Sequence, residues 1–167
     1  MKSKSFSKLF LNRIAMEVIK LSNGSMFSDE FEYYIKKLKI PNFIGVFMRN
    51  EIPSLVKVKE CAILNLEDNS KEGSHWVAWM KNEDIAFYFD SYGEPPDTTL
   101  RLHLNGLNIK RSAITVQHDS SKECGALCLY VLYFLSKEVN FGDILYTLQK
   151  RYRKTTQQPL TINTRLT

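Results

Sequence analysis

What this 167-residue chain has little of sets its limits. It holds three cysteines, an odd number, at positions 61, 124 and 128, with no Cys-x-x-Cys pair. Neither a disulfide framework nor a zinc knuckle accounts for them; Cys124, Cys128 and His118 lack the paired spacing of a metal site, no metal is expected, and a reducing compartment is implied. No apolar run approaches the roughly 20 residues that a membrane span needs, so no membrane partner is expected. The basic N-terminal stretch is interrupted by Asn12 and Arg13, which makes it a poor signal peptide. There is no internal repeat and no low-complexity linker, so residues 1–167 read as a single domain. With five prolines in the chain, none breaks the stretch from Gln117 to Leu135.

That stretch is where the chemistry is expected. Its first half is polar, Gln-His-Asp-Ser-Ser-Lys-Glu; after Cys124-Gly125 it becomes almost wholly apolar. A run of that kind reads as a helix buried on all sides, with Cys124 at its first turn. The unpaired N–H groups and the positive end of the helix dipole favour a thiolate there. Gly125 is expected to leave the backbone beside the sulfur open to a substrate. Most cysteines are small core residues. That bland reading suits Cys61, in an apolar strand, and Cys128, one helical turn beyond Cys124.

A composition of 44% hydrophobic and 12% aromatic residues can bury a sizeable core. In chain order, Phe6 to Leu21 has helical spacing with Gly24 as its C-cap, giving a basic amphipathic N-terminal helix within residues 1–27. A second helix follows, with Ser28 as N-cap, a stripe of Phe31, Tyr34, Ile35 and Leu38, and Pro41 as the stop. Strands are predicted over 42–47, 61–66, 75–80, 85–89 and 108–116, the third and fourth forming a hairpin. The Cys124 helix comes next, then a helix over 141–153 and a flexible polar tail over 155–167. The order describes an α+β domain, an antiparallel sheet packed on the central helix. His75 opens one strand of the hairpin and Asp90 closes the other, so antiparallel pairing puts both at one end of the sheet. There His75 could take the Cys124 proton while Asp90 holds the far ring nitrogen, and Gln117 could aim its amide at a developing oxyanion. His118 is a rival base without a paired carboxylate, and His103 reads as a solvated loop residue. Strand pleat sends Trp76 and Trp79 to opposite faces.

The net charge of +5 is carried by the ends. Residues 150–167 hold Lys150, Arg151, Arg153, Lys154 and Arg165 with no acidic residue, and residues 1–27 hold five basic residues against Glu17. Such ends could hold nucleic acid, although a short basic tail is more often a solvated terminus.

Gly-Ser-His75-Trp76-Val-Ala-Trp, Phe-Asp90-Ser-Tyr-Gly-Glu-Pro-Pro, and Gln117 seven residues before Cys124-Gly125 together resemble the adenovirus protease (adenain) type of cysteine endopeptidase, in a clan shared with SUMO-specific proteases. The resemblance spans about residues 28 to 136. It implies a papain-like core with permuted catalytic order, with His75 as base, Asp90 as its orienter, Gln117 in the oxyanion hole, Cys124 as nucleophile and Trp76 beside the cleft. It implies cleavage of virion precursor proteins after Gly or another small residue during virion maturation, by a monomer in the host cell nucleus or cytoplasm and in the virion. An adenovirus-like virus, virophage or Polinton-type element suits such a chain. Asp90 stands where the adenovirus enzymes carry Glu. No cysteine lies between Asp90 and Gln117, so a disulfide-linked peptide activator is not expected; DNA or a non-covalently bound peptide stays open. The alternatives are a protease for ubiquitin or SUMO tails and a catalytically idle nucleic-acid-binding protein.

Overall fold

The computed structural model describes residues 25–71 and 74–156. The expected N-terminal helix and residues 157–167 of the tail lie outside them. Helix α1 spans Ser28–Leu38. It buries Phe31 and Ile35, carries Asp29 and Glu30 in its first turn and Lys36 and Lys37 in its last, and so matches the helix dipole at both ends. Ser28 is not its cap, as expected, but its first residue; Phe27 holds the cap position, and its N–H donates to Glu30 Oε2 at 2.9 Å. The Glu30 carboxylate thus satisfies the Phe27 N–H, while the Glu30 N–H that a capping hydroxyl would have met donates to Phe27 O instead.

Strands β1 (Phe43–Met48), β2 (Glu60–Asn65), β3 (Trp76–Lys81), β4 (Ile85–Phe89) and β5 (Asn108–Arg111) form one sheet in sequence order. The middle is antiparallel, β2 against β3 and β3 against β4. Both edges depart from the expected all-antiparallel sheet, because β1 runs parallel to β2 and β4 parallel to β5. Parallel neighbours need a crossover. Residues 49–59 supply one, starting with a 3-10 turn at Arg49–Glu51, and helix α2, Thr98–His103, lies in the other. The β3–β4 hairpin forms as its sequence suggests, with Asn82 Oδ1 accepting from the N–H groups of Asp84 and Ile85 at 3.3 and 3.2 Å.

Helices α3 (Cys124–Ser136) and α4 (Phe141–Thr156) complete the order. Residues 155 and 156, expected in the tail, extend α4. Helix α3 packs on β3 and is buried along nearly its whole length, as its unbroken apolar run requires. Its core takes Cys61, Ile63, Ala78 and Phe89 from the sheet together with Phe31 from α1 and Ile144 and Leu148 from α4. The opposite face of the sheet is covered too: Leu64, Val77, Trp79 and Tyr88 pack with Leu100 and Leu104 around α2. Burial on both faces explains why every residue of β2 is buried.

Two expectations are corrected by this second layer and by α1. His103 is not solvated; it ends α2, its side chain is 4% exposed, and its ring bonds Glu60 and meets Trp79 edge-on. A short helix with little periodicity hid that layer in the sequence. Gly125 does not face a substrate either. It is buried, and a Cβ there would lie 2.7 Å from Phe31 Cζ and 3.0 Å from Met26 Cβ. Gly125 lets α1 close on the first turn of α3. Gly125→Ala should therefore lower stability by about 1–3 kcal/mol through overpacking, measured by denaturant melts; unchanged stability would show that Phe31 can give way.

Candidate active site

Residue His75 sits one position before β3. Its carbonyl accepts from Leu66 N–H at 3.0 Å, which continues the β2–β3 ladder by one step. The buried Asn65 side chain steadies the approach, its Oδ1 accepting from the N–H groups of Glu67 and Ser74 at 3.0 and 3.2 Å. Asp90 follows directly on β4 and is 1% exposed. Ser112 pins it, accepting from Asp90 N–H at 2.9 Å and donating to its carbonyl at 2.8 Å. This is why the fifth strand stops at Arg111 rather than Val116: from Ser112 onward the chain follows residues 90–92, with Val116 N–H donating to Ser91 O.

At this end of the sheet, His75 Nε2 lies 3.2 Å from Asp90 Oδ1. The ring is also hydrogen-bonded to the Cys124 side chain, for which Nδ1 is the nitrogen left over. Asp90 Oδ1 accepts from Tyr92 N–H at 2.7 Å, and the Tyr92 ring lies over His75 with centroids 5.0 Å apart. Burial works to lower the His75 pKa, but the hydrogen bonds and charges of Asp90 and Cys124 outweigh it and push it up to about 9. For Cys124 burial works to raise the pKa. The His75 hydrogen bond, the Trp76 backbone, the imidazolium charge and the Gly125 backbone together bring it below the ordinary cysteine value. Both shifts favour a thiolate beside an imidazolium over a neutral thiol and ring.

Gln117 is 2% exposed, and its carbonyl oxygen accepts from Ser91 Oγ at 2.8 Å. That bond orients the amide, whose Nε2 donates to Ser121 O at 2.8 Å and to Tyr92 Oη at 3.3 Å. The second of these is long and part-buried, so it is the one that a stronger acceptor could displace. Gln117, Cys124, His75, Trp76 and Tyr92 line one cleft of about 720 Å³, which also takes in residues 25–27. Asp90 stands behind it. Trp76 is half-buried, edge-on to Phe31 at 4.9 Å, whereas Trp79 is fully buried on the other face of the sheet.

Other candidates fall away from this cleft. His118 points towards α4, 3.2 Å from Thr155 Oγ1 and 4.7 Å between ring centroids from Tyr152. Cys128 is buried, its thiol held well up by desolvation and the nearby Cys124, and it donates to Trp76 O at 3.4 Å. Cys61 borders another cavity, of about 620 Å³, at the opposite end of the sheet, but burial and Glu60 push it up to about 12. Among the described residues no group of three His, Cys, Asp or Glu is placed to hold a metal, and no helix is long and apolar enough to cross a membrane. Sequence reasoning missed Ser91, Tyr92 and Ser112. Tyr92 and Ser91 follow Asp90 directly, which was the available signal; Ser112 carried none.

No protein-family model matches the chain. It is 31% identical over 134 residues to the protease of Bovine adenovirus 2, an alignment covering 69% of this chain and 64% of that protein, so the chain spans a little under two thirds of its relative's length. A crystal structure of an ASFV protease superposes with a TM-score of 0.51 at 14% identity, over 77% of this chain and 66% of that one. The chain therefore shares the fold of that protease. A structure of the SUMO protease Ulp1, in the same clan, superposes more loosely, with a TM-score of 0.45 at 11% identity over 90% of this chain and 94% of that one. In this chain the cleft lies where β3, β4 and the first turn of α3 meet.

Iodoacetamide at neutral pH should alkylate Cys124 well ahead of Cys61 and Cys128, read by peptide mass spectrometry. His75→Ala should move the Cys124 profile to higher pH, because it removes both the hydrogen bond and the charge that hold the thiolate. Equal labelling of the three thiols would contradict the ion pair.

Proposed function

We propose that this chain is a cysteine endopeptidase that cleaves viral precursor proteins after Gly or another small residue. The observation that carries the reading is the hydrogen-bonded series Asp90–His75–Cys124 opening on a single cleft. Cys124 Sγ attacks the peptide carbonyl, and the oxygen that becomes negative is held by the Cys124 N–H and the Gln117 amide, which exchanges its long bond to Tyr92 for the new one. His75 gives its proton to the leaving amine, the acyl group stays on sulfur as a thioester, and His75 then draws a proton from the water that hydrolyses it. Asp90 keeps the ring in place and stabilises its charged form. Trp76 walls the cleft beside the sulfur, which favours a substrate backbone without bulk. Protein substrates of virion assembly, a monomeric enzyme and a reducing host-cell setting are parts of the same proposal. An activator, DNA or a peptide, is taken to act without a disulfide, because residues 91–116, the segment between Asp90 and Gln117, hold no cysteine.

The reading is tested by co-expressing wild type or Cys124→Ala with candidate capsid precursors and mapping new termini by mass spectrometry. Every cut should vanish in the variant, and the residue before each cut should be small; cuts that persist would assign them to another enzyme. Gln117→Ala should lower kcat by about 10²- to 10³-fold, as loss of an oxyanion donor does. The profile of kcat/KM should be bell-shaped. It should rise as Cys124 ionises at a pH below the ordinary thiol range, and fall as His75 loses its proton near about 9. A rate still climbing well above that pH would mean that a neutral imidazole is the working form.

A further inference from the structure

The loop from Gln117 to Glu123 has to hold two donors still, the Gln117 amide and the Cys124 N–H that follows Glu123. Inside the loop, Gln117 Nε2 is tied to Ser121 O, Ser121 N–H to His118 O at 2.9 Å, and Glu123 N–H to Ser121 Oγ at 3.2 Å. These bonds make the loop stiff, and Ser91 fastens its start through the Gln117 carbonyl oxygen. Helix α4 fastens the rest, with three residues of its last turns. Arg151 grips the Glu123 carboxylate with both nitrogens, Nη2 to Oε1 at 2.6 Å and Nη1 to Oε2 at 3.2 Å. Tyr152 lies against the His118 ring, and Thr155 Oγ1 is 3.2 Å from His118 Nε2.

The grip of Arg151 is unlike a surface ion pair. It is two-pronged and partly shielded, with side chains 18% and 26% exposed, and planar guanidinium–carboxylate pairing fixes orientation as well as distance. Glu123 occupies the cap position of α3, yet its side chain caps nothing. It is turned outward to α4 instead. Its backbone, at φ −82° and ψ −3°, sets the direction of the next N–H, that of Cys124.

We propose that Arg151 is a positioning residue for the reaction at Cys124: through Glu123 it fixes the loop that presents the Gln117 amide and the Cys124 N–H, and it neutralises the carboxylate adjoining the nucleophile. The proposal rests on the thiol-peptidase reading of the cleft. It also gives one member of the basic C-terminal segment a structural partner, which removes it from the charges free to meet a polyanion. The charged or titratable groups around Cys124 are His75 and Asp90 from the sheet end, Tyr92 beyond β4, Asp119 and Lys122 from the loop, and Cys128 on its own helix. Glu123 adds a negative charge at the first turn whenever Arg151 is gone.

The test uses the full chain with Arg151→Ala, Glu123→Gln and the double variant, compared in two assays. One is the pH profile of Cys124 alkylation by iodoacetamide, which needs no substrate. The other is kcat and KM on a peptide with Gly before the scissile bond. Arg151→Ala should lower kcat by about 10- to 100-fold, the scale of a misplaced reacting group, with KM changed far less, and should move the alkylation profile to higher pH. The double variant should return that profile towards wild type while kcat stays low, a separation that mere loss of stability would not produce. Glu123→Gln, nearly isosteric, should lower kcat without moving the profile upward, and serves if Arg151→Ala does not fold. Wild-type kcat in Arg151→Ala or, should that variant not fold, in Glu123→Gln would overturn the proposal, as would an unmoved alkylation profile in Arg151→Ala. Failure of the peptidase reading looks different: the wild type itself then cuts no peptide or labels its three cysteines alike.

Discussion

The first turn of a buried helix pressed against the end of a β-hairpin is the constraint on which this molecule depends. Helix α3 is apolar on every side, so it must be surrounded, and β3, α1 and α4 surround it. Once it is enclosed, Cys124 at its start can lie in one place only, beside the residue that opens β3. Gly125 makes the enclosure tight enough, since Phe31 stands where any larger side chain would go. Packing energy thereby decides the position of a sulfur atom. The hydrogen bonds that tune it are a small addition to a large apolar term.

Around that point, polar groups are satisfied in a sequence of supports. Ser112 holds the Asp90 backbone, Tyr92 N–H and His75 hold its carboxylate, and His75 holds Cys124. Ser91 holds the Gln117 carbonyl oxygen. Asp90 is almost fully buried, and a buried carboxylate is tolerable because donors meet it on its lone pairs. Burial opposes both the imidazolium and the thiolate, but their hydrogen bonds and mutual charge outweigh it, so His75 and Cys124 shift in opposite directions. A thiol one helical turn away, Cys128, shares the burial but lacks the partners and is driven the other way.

Several of these features could be read from the chain alone. The hairpin and the long apolar helix were legible because their periodicity is local, and His75 and Asp90 fall at strand ends whose pairing follows from one short turn. Other features were not. Both parallel edges of the sheet depend on crossovers whose direction no residue announces. Helix α2 is six residues long and has no stripe to recognise, so the layer that buries His103 against Glu60 stayed hidden. Gly125 was misjudged because what a glycine makes room for is known only when its neighbours are in place.

By itself the sequence determined which side chains this protein has to work with and roughly where its long helices and its hairpin lie: residue type and periodicity act over a few positions, and they singled out Cys124 at a helix start and His75 and Asp90 at strand ends. Tertiary structure alone decided that Ser112 meets Asp90, that Ser91 turns the Gln117 amide, and that Arg151 reaches Glu123. Those pairs are separated by 22, 26 and 28 residues, and contacts at such distances come from how whole elements bury their apolar faces together, a property of the packed chain and not of any segment in it.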